Sequence, residues 1–346
     1  MTECMLGGLA GLGVRVIPVT SRSSMTWPHV LGEGVQLPLR TDRTLPRVLV
    51  DGLHRVWPQA TRMDADVWLY PKGFLPWLNT GGLPAVAVVH DAIVAHYATH
   101  YPAYMGRATT AYLERALTHA LRHATTVVTV SEHARQELNR FAERSRLRVR
   151  DIRVGYAASD YETLLGTEPS HVAKRDCVVH LAATAPHKQT LGLLEHWQVL
   201  EDRGMDLPEL LLVGSIARDA RRLADRLRTV RVLDSLPERQ FRRTLAEARA
   251  LVMASEVEGF GLPILEGYYL GTPGLYPAET AMDEYMAPVS SHGRFERGDV
   301  DDFAHALERT LGRSSQEVFQ DACSLRRRYS RAQLAERLRE ALVAAS

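Results

Sequence analysis

The sequence predicts an α/β protein made of two doubly wound, parallel-stranded domains. Its 346 residues exceed the size of one ordinary hydrophobic core and suit two domains. Short runs of apolar, β-branched residues alternate with segments of helical period, a pattern typical of parallel sheets covered by helices on both faces. The alternation stops over residues 155–170 and then restarts, which indicates a connection between the two domains.

The apolar runs predict the strands, and the segments of helical period predict the helices. In the first half, strands are expected at 14–20, 67–70, 85–90, 125–131 and 151–154, with helices at 107–123 and 133–141. In the second half, strands are expected at 177–182, 209–214, 230–233 and 250–254, with helices at 189–203, 216–228, 238–248, 263–270 and 300–311. A last amphipathic helix is predicted over 326–345, where Leu334, Leu338 and Leu342 recur every four residues.

These elements divide the chain into three parts. Residues 1–170 form a first doubly wound domain, residues 171–324 a second, and residues 325–346 a helix that packs back toward the first. We expect the two domains to face a cleft, because ligands of doubly wound sheets bind outside the carboxyl ends of the strands.

Composition argues against several classes of partner. The 42 Lys and Arg residues nearly balance the 41 Asp and Glu residues, so no overall field attracts nucleic acid. Cys4, Cys177 and Cys323 lie far apart and indicate neither a zinc site nor a disulfide framework. Without a signal peptide or a long apolar run, a cytoplasmic location is expected. The run 326–328 is interpreted as a solvated helix start, with peripheral contact to the inner face of a membrane as the alternative.

The segment "SEVEGFGLPILEGYYLGTPGLY" carries the strongest chemical signal. Gly259 and Gly261 flank Phe260 in a turn that follows a buried strand, and Pro263 suits the first helical position. Residues 259–262 would therefore present free backbone N–H groups at a helix N-terminus, where the helix dipole favours an anion.

Two carboxylates bracket this anion site, and each would repel a phosphate unless it bound something else. Glu258 precedes the turn, and Glu266 lies on the first turns of the helix. A sugar nucleotide supplies hydroxyl pairs on both sides of a diphosphate, and a carboxylate can accept two hydrogen bonds from such a pair. The alternative is an ordinary strand–helix turn with charges that complement the helix dipole.

The same segment, with Glu258 and Glu266 as an E-x7-E pair, resembles the signature of the family 4 retaining glycosyltransferases. Further segments resemble other parts of that family in the same order: "VVHDAIVAHYATHYPAY", "ATTVVTVSEHARQEL", "HLAATAPHKQTLGLLEHW" and "RTLAEARALVMASEVEGFGLP". The resemblance implies the GT-B fold, with two Rossmann-like domains. It also implies transfer of a sugar from a nucleotide-diphosphate sugar to an acceptor hydroxyl, with retention at the anomeric carbon and without a metal ion or other cofactor.

The resemblance also implies roles for residues of the second domain. Glu258 would contact the donor sugar, Glu266 the nucleotide ribose, and Lys188 the diphosphate. The backbone that would bind the diphosphate belongs to Gly259, Phe260, Gly261 and Leu262. All but three of the 42 basic residues are Arg, and the three lysines are Lys72, Lys174 and Lys188, so a lysine in a loop is informative.

Three residues of the first domain are further candidates. His90 follows an apolar strand, and by resemblance it would contact the donor sugar; the alternative is a histidine bonded to neighbouring backbone. Asp91 is interpreted as a turn or helix cap on the acceptor side. Ser131 is interpreted as a helix N-cap that also lines the acceptor side.

The sequence departs from the family pattern near Lys188. The family supplies a second cation there, and the matching positions hold Ala182 and His187. His187 could carry part of the charge if bound phosphates raise its pKa. Glu284 is a weaker candidate, because the family has another acidic residue near that position. The "DAD" sequence at 64–66 precedes a predicted strand, so we do not expect it to bind a metal.

Two other functions stay open at this stage. The missing cation favours a sugar-nucleotide-binding protein without activity, or a partner subunit of a glycosyltransferase. A GT-B phosphorylase or epimerase is the other; a pyridoxal-phosphate enzyme would need Lys174 or Lys188 as its Schiff-base lysine. The donor base, the sugar and the acceptor cannot be identified from the residues.

The glycine-rich stretch at 7–13 resembles a phosphate-binding loop at first sight. Only five residues separate Gly8 from Val14, too few for a helix between loop and strand. We therefore predict that Gly7 and Gly8 lie in a helix that Gly13 ends. The chain is then expected to lack the family's first strand and its donor-closing glycine loop, either through a late gene start or in a shortened enzyme.

Overall fold

The computed structural model describes residues 1–20, 31, 34–36, 63–77 and 82–346. These residues divide into two compact units, Ser159–Ser330 and a unit made of Met1–Ala158 with Arg331–Ser346. The N-terminal segment of the first unit ends at residue 158, within the predicted connection over residues 155–170. Ser159 belongs to the second unit because its hydroxyl donates a hydrogen bond of 2.7 Å to Glu266.

The first unit is built around a parallel sheet of four strands. In chain order its elements up to the connection are α1 (Thr2–Gly11), β1 (Val19–Thr20), β2 (Val35–Gln36), β3 (Trp68–Tyr70), β4 (Ala85–Val88), α2 (Ile93–His100), α3 (Arg107–His123), β5 (Thr126–Thr129), α4 (Glu132–Arg144) and β6 (Ile152–Val154). The sheet order is β3-β4-β5-β6, and β1 pairs separately with β2. Every residue of β4 and β5 is buried, which is why these strands are continuous apolar runs.

Two predictions for the first unit are wrong. Of the strand expected over 14–20, only Val19–Thr20 pairs with another strand, because the Val14 N–H instead donates to Leu9 and closes α1. No helix was predicted between residues 91 and 106, but this segment contains α2. This helix begins where the Asp91 carboxylate accepts a hydrogen bond of 3.0 Å from the Ile93 N–H.

The second unit is built around a parallel sheet of six strands. Its elements are β7 (Arg175–Ala182), α5 (Thr190–Asp202), β8 (Glu209–Gly214), α6 (Arg218–Ala224), β9 (Val230–Leu233), α7 (Glu238–Glu247), β10 (Ala248–Val252), α8 (Leu262–Tyr269), β11 (Gly274–Pro277), α9 (Ala281–Met286), β12 (Arg294–Phe295), α10 (Val300–Leu311) and α11 (Ser315–Arg328). The order of the strands is β12-β11-β10-β7-β8-β9. A core cluster lies on the face of the sheet that carries Val178, Leu210 and Val252, around the fully buried Trp197 and Phe303.

The sheet changes direction between β7 and β10. From β7 the chain passes through α5 to β8 on one side, and from β10 it passes through α8 to β11 on the other. The loops that leave the carboxyl ends of these two neighbouring strands therefore part in opposite directions. A crevice at such a point is where doubly wound sheets bind ligands.

The end of the chain is two helices and not the single helix expected over 326–345. The helix α11 ends at Arg328, and α12 (Arg331–Val343) follows after two residues. The exposed run 326–328 is thus the last turn of a helix, where the negative end of the helix dipole favours cations, and not a helix start. The side chains of Leu334, Leu338 and Leu342 are buried, as their spacing predicts.

The helices α1 and α12 pack against each other within the first unit. Gly7 and Gly8 lie in α1, and Gly13 follows it with a φ of +79°, as predicted. A Cβ atom on Gly8 would lie 2.8 Å from the Cβ of Ala335. The glycine at position 8 therefore serves the close approach of two helices.

A buried histidine links β7 to the neighbouring strand β10 and to the start of α5. His180 lies on β7, with Nδ1 at 3.0 Å from the Val252 carbonyl oxygen and Nε2 at 3.0 Å from Thr190 Oγ1. Burial lowers the pKa of His180 from 6.5 to about 4. The folded state therefore holds this imidazole neutral.

We expect the stability of the second unit to fall in mild acid because of His180. The pKa of this residue is lower in the folded than in the unfolded chain, so the unfolded chain binds the extra proton between pH 6.5 and 4. The free energy of unfolding should decrease by about 3 kcal/mol between pH 7 and pH 4 through this residue. Urea unfolding at both pH values should show a smaller decrease for His180→Gln than for the wild type. The exposed His171 provides the control, since His171→Gln should keep the full decrease.

Candidate functional site

The loops that follow β7 and β10 are joined by three hydrogen bonds. The first loop contains the short turn Pro186–Lys188, and the second runs to the start of α8. The Glu256 N–H donates to the His187 carbonyl at 2.8 Å, and Gln189 Nε2 donates to Glu256 Oε1 at 2.7 Å. Lys188 Nζ donates to Glu258 Oε1 at 2.5 Å. The two loops therefore form one structure at the carboxyl ends of the central strands.

The predicted residues Lys188 and Glu258 form an ion pair that is largely shielded from water. Their side chains are 24% and 13% exposed, respectively. Each charge compensates the desolvation of the other, and removal of one leaves the other poorly solvated. An incoming anion could replace the carboxylate as a partner of the ammonium group, which has three donors.

Gln189 holds the turn that carries Lys188 in a strained conformation. Its φ is +52°, a value that side chains other than glycine rarely adopt. Its amide is fixed by Glu256 and by a longer bond of 3.3 Å to the Pro186 carbonyl. Such strain persists where surrounding contacts determine it, and it is frequent at functional sites.

The start of α8 presents backbone donors without partners. Among the described residues, the N–H groups of Phe260, Gly261 and Leu262 donate to no protein acceptor. Phe260 and Gly261 are buried, and a buried N–H without a partner is rare in folded proteins. Together with the helix dipole, these donors make a cradle for an anion.

The shape of this cradle is fixed from below by α9. Gly261 has a φ of +82°, and a Cβ atom there would lie 2.3 Å from Met282 Cγ. The Tyr285 hydroxyl donates to the Gly261 carbonyl at 3.0 Å, and the Phe260 ring stacks on the Tyr285 ring at 4.4 Å. The Phe260 side chain is only 3% exposed, so this residue can offer a ligand its backbone but not its ring.

Glu266 lies in a part of α8 that is shielded from water. Its Oε1 accepts the hydrogen bond from Ser159, and its other carboxylate oxygen has no partner among the described residues. Burial raises the pKa of Glu266 above its ordinary value, and the nearby Glu238 raises it further. An unpartnered carboxylate oxygen in such surroundings is suited to accept from a hydroxyl donor.

The other candidates of the second unit are His187, Glu284 and Lys174, and they differ in burial and in contacts. His187 is buried in the same turn as Lys188, and its carbonyl takes part in the contact between the loops. Glu284 lies in the first turn of α9. Lys174 donates to the Ala246 carbonyl and the Thr272 hydroxyl, so its ammonium group is held by structural contacts.

The candidates of the first unit lie after β4 and β5. His90 Nε2 lies 2.7 Å from the Pro71 carbonyl oxygen, so this nitrogen carries the hydrogen and Nδ1 is the acceptor of the neutral ring. The Asp91 carboxylate accepts from the Ile93 N–H in a turn directly before α2, which agrees with its interpretation as a turn-forming residue. Ser131 Oγ accepts from the Ala134 N–H at 2.9 Å and caps α4, as predicted.

A cavity of about 640 Å³ lies beside His90 within the first unit. Its walls come from the start of α1, from α2 and α3 and from the turn after β3, and most of the lining is apolar. Lys72 lies at this cavity and was not predicted as a functional residue. The rarity of lysine in the sequence was the signal that could have identified it.

The "DAD" sequence is exposed and precedes β3, as expected. The Asp64 carboxylate pairs with Arg15 at 2.8 Å. In the part of the chain that the structure describes, no group of three or more His, Cys, Asp or Glu residues could hold a metal ion. Within the same residues, no helix combines the length and the apolar character needed to span a membrane.

Comparison with known proteins identifies relatives along both units. A family model described as Glycosyltransferase Family 4 matches residues 3–151, and one described as Glycosyl transferases group 1 matches residues 175–313. The O-antigen chain mannosyltransferase B of Escherichia coli is 26% identical over 247 residues, which cover 68% of this chain. The chain matches 63% of the length of that relative.

Solved structures with low sequence identity share the fold. HepE of Anabaena, solved with UDP and glucose, has a TM-score of 0.67 and 15% identity, covering 99% of this chain and 95% of its own. Sucrose-phosphate synthase from Thermosynechococcus elongatus has a TM-score of 0.70 and 16% identity, covering 99% of this chain and 92% of its own. The chain belongs to the family 4 glycosyltransferases and has their GT-B fold, as its motifs predict.

Proposed function

We propose that this chain is a retaining glycosyltransferase that moves a sugar from a nucleotide-diphosphate sugar to an acceptor hydroxyl, without a metal ion. The observation that carries this proposal is the Lys188–Glu258 pair beside unpartnered N–H groups at the start of α8. A cation, backbone donors and a carboxylate in one crevice suit a diphosphate bonded to a sugar.

In this proposal each part of the donor has its own partner. The diphosphate binds the N–H groups of 260–262 and the ammonium group of Lys188, with His187 beside it. Glu258 accepts from hydroxyls of the donor sugar, and the unpartnered oxygen of Glu266 accepts from the ribose. The positive charge of Lys188 and the N–H groups of 260–262 offset the charge of the diphosphate. The carboxylates of Glu258 and Glu266 then repel the diphosphate less.

Catalysis then rests on the charge that develops on the leaving diphosphate. As the bond between the anomeric carbon and the phosphate oxygen breaks, negative charge grows where Lys188 and the α8 dipole can stabilise it. We favour attack by the acceptor oxygen on the face that the phosphate leaves. The acceptor proton passes to the departing phosphate oxygen, so the new bond has the configuration of the old one.

The first unit is proposed to serve the sugar and the acceptor. His90 contacts the donor sugar, as the family resemblance implies. The side chains of Asp91 and Ser131 already accept from backbone N–H groups, so they shape the acceptor side and act on the acceptor indirectly. The partners are thus a nucleotide sugar and a hydroxyl-bearing glycan, glycolipid or natural product, at a cytoplasmic site.

A donor panel tests the proposed activity. The purified chain is incubated with UDP-glucose, UDP-N-acetylglucosamine and GDP-mannose, with and without hydroxyl acceptors, and nucleotide release is followed. GDP-mannose is included because the Escherichia coli relative is a mannosyltransferase. Release from one donor supports the proposal, whereas saturable binding without release across a broad panel would favour a non-catalytic binding protein.

Glu256 should act on the donor through the turn that carries Lys188. Glu256→Ala removes the acceptor of the Gln189 amide, and we expect the KM for the donor to rise about tenfold, the usual effect of one buried hydrogen bond. Glu256→Gln keeps an oxygen acceptor and should restore most of the affinity. Steady-state kinetics on both variants checks this, with Glu308→Ala on the exposed side of α10 as the surface control. Equal KM values for the alanine and glutamine variants would contradict the role.

A further inference from the structure

The cavity beside His90 combines an apolar interior with a single lysine. Val94 and Tyr97 of α2 and Leu113 of α3 contribute to its lining, together with Phe74 from the turn after β3. Leu113 and Val94 are partly exposed, as expected for side chains that face open space. A volume of about 640 Å³ lies within the range of small-molecule sites.

The mouth of the cavity is apolar as well. Phe74 is 50% exposed, and Tyr104 is exposed while its ring stacks at 5.1 Å on Tyr97. Phe74 and Tyr97 line the cavity, so the exposed rings of Phe74 and Tyr104 lie at its edge. Exposed apolar groups beside a cavity are typical of a binding surface.

Lys72 adds a positive charge to this apolar surface. It is exposed, and its ammonium group forms no hydrogen bond or ion pair with any residue that the structure describes. The Asp91 carboxylate also lines the cavity, and one of its oxygens accepts from the Ile93 N–H. Of these two side chains, only Lys72 can donate to an anionic group of a ligand.

His90 supplies a polar contact of a different kind. Because its Nε2–H is directed to the Pro71 carbonyl, Nδ1 is left as an acceptor for a ligand hydroxyl. The residue lines the same cavity as Lys72. One surface thus offers an apolar space, a cation and an acceptor for a hydroxyl.

We propose that this cavity binds an amphiphile, with its apolar group in the space between α2 and α3 and its anionic group on Lys72. Under the proposed function this amphiphile is the acceptor, and its hydroxyl lies at His90. That last step rests on the proposed glycosyltransferase activity, whereas the binding of the amphiphile does not. The chemistry fits a lipid phosphate or a soluble alkyl or aryl anion.

Two fluorescent probes with the same rings test the binding. The first is 1-anilinonaphthalene-8-sulfonate, which is anionic, and the second is the neutral N-phenyl-1-naphthylamine. Lys72→Gln should weaken the anionic probe about fivefold and leave the neutral probe unchanged, since a partly exposed ion pair contributes modestly. Leu113→Trp and Val94→Phe fill the space and should weaken both probes at least tenfold, by the loss of volume.

The control variant introduces a large side chain outside the cavity. Val199→Trp, on the surface of α5, should bind both probes as the wild type does. Melting temperatures establish that each variant is folded. Unchanged binding in folded Leu113→Trp and Val94→Phe would overturn the cavity, and unchanged binding of the anionic probe in Lys72→Gln would overturn the role of the cation.

Displacement of the anionic probe from the wild-type chain tests the proposal without a substitution. Octyl phosphate should displace the anionic probe at lower concentration than either inorganic phosphate or octyl glucoside, and equal displacement by all three would contradict the proposal. Flotation with phosphatidylcholine vesicles that contain phosphatidic acid distinguishes the sources. If the wild type floats with the vesicles and Leu113→Trp does not, the ligand is a lipid. If the chain binds octyl phosphate but does not float with the vesicles, the ligand is a soluble amphiphile. Neither assay includes a sugar donor, so failure here leaves the proposed transfer untouched.

Discussion

Replacement of Lys188 by methionine is expected to lower kcat for nucleotide release by two to three orders of magnitude. Loss of one preorganised group that stabilises a developing oxyanion has about this effect, roughly 3–4 kcal/mol. The variant should also be less stable, because Glu258 is 13% exposed and would lose its ion-pair partner. Steady-state kinetics and thermal unfolding measure the two effects separately.

Lys188→Arg is the matched control for this variant. It keeps the positive charge and can still pair with Glu258, so it should recover most of the stability. It should recover only part of the activity, because the guanidinium group differs in shape and reach from the ammonium group. If Lys188→Met retained wild-type turnover, the diphosphate would not be neutralised by this residue.

Glu258→Gln should abolish measurable turnover and should lower the stability less than Lys188→Met does. The glutamine oxygen can still accept from Lys188 Nζ, so the contact between the loops survives the change. What disappears is the negative charge beside the reacting sugar, and we expect kcat to fall on the order of a thousandfold. Donor binding, measured by calorimetry, should change only a few fold, because the diphosphate contacts remain.

This contrast between turnover and binding separates a catalytic carboxylate from a structural one. Glu266→Gln serves as the comparison, because Glu266 is proposed to hold the ribose and lies apart from the bond that breaks. It should raise the KM for the donor more than it lowers kcat. Unchanged turnover in Glu258→Gln would refute the assignment of this residue.

Much of the fold follows from local patterns in the sequence. The helices α3 and α10 and the strands β8 and β9 have the bounds that their periodicity predicts, because each is a continuous amphipathic or apolar run. The strand β11 was not predicted, since "GLYP" contains a glycine and a proline that favour turns, although all four residues are buried. The break between α11 and α12 was missed because an amphipathic pattern continues across it.

The candidate site was predictable in its parts but not in its contacts. The motif around 258–266 identified the carboxylates and the backbone donors, and the rarity of lysine drew attention to Lys188. The hydrogen bond between Gln189 and Glu256 joins residues 67 positions apart, and no local pattern in the sequence predicts such a contact. The left-handed conformation of Gln189 was likewise not predictable, because a long-range contact holds it there.

The cavity in the first unit was not predictable for a related reason. Its walls come from the start of α1, from α2 and α3 and from the turn after β3, and α2 itself was not among the predicted helices. Lys72 was noticed as one of three lysines, but its place beside His90 depends on how β3 and β4 lie next to each other. Parallel pairing brings the carboxyl ends of both strands to one edge of the sheet.

The central claim is that the crevice between β7 and β10 binds the diphosphate of a nucleotide sugar. A crystal structure of the chain with the donor selected by the release assay tests it most directly. We predict diphosphate oxygens within hydrogen-bond distance of the N–H groups of 260–262 and of Lys188 Nζ, with sugar hydroxyls on Glu258. A diphosphate bound elsewhere, with the Lys188–Glu258 pair and the α8 N–H groups free of ligand, would contradict the account.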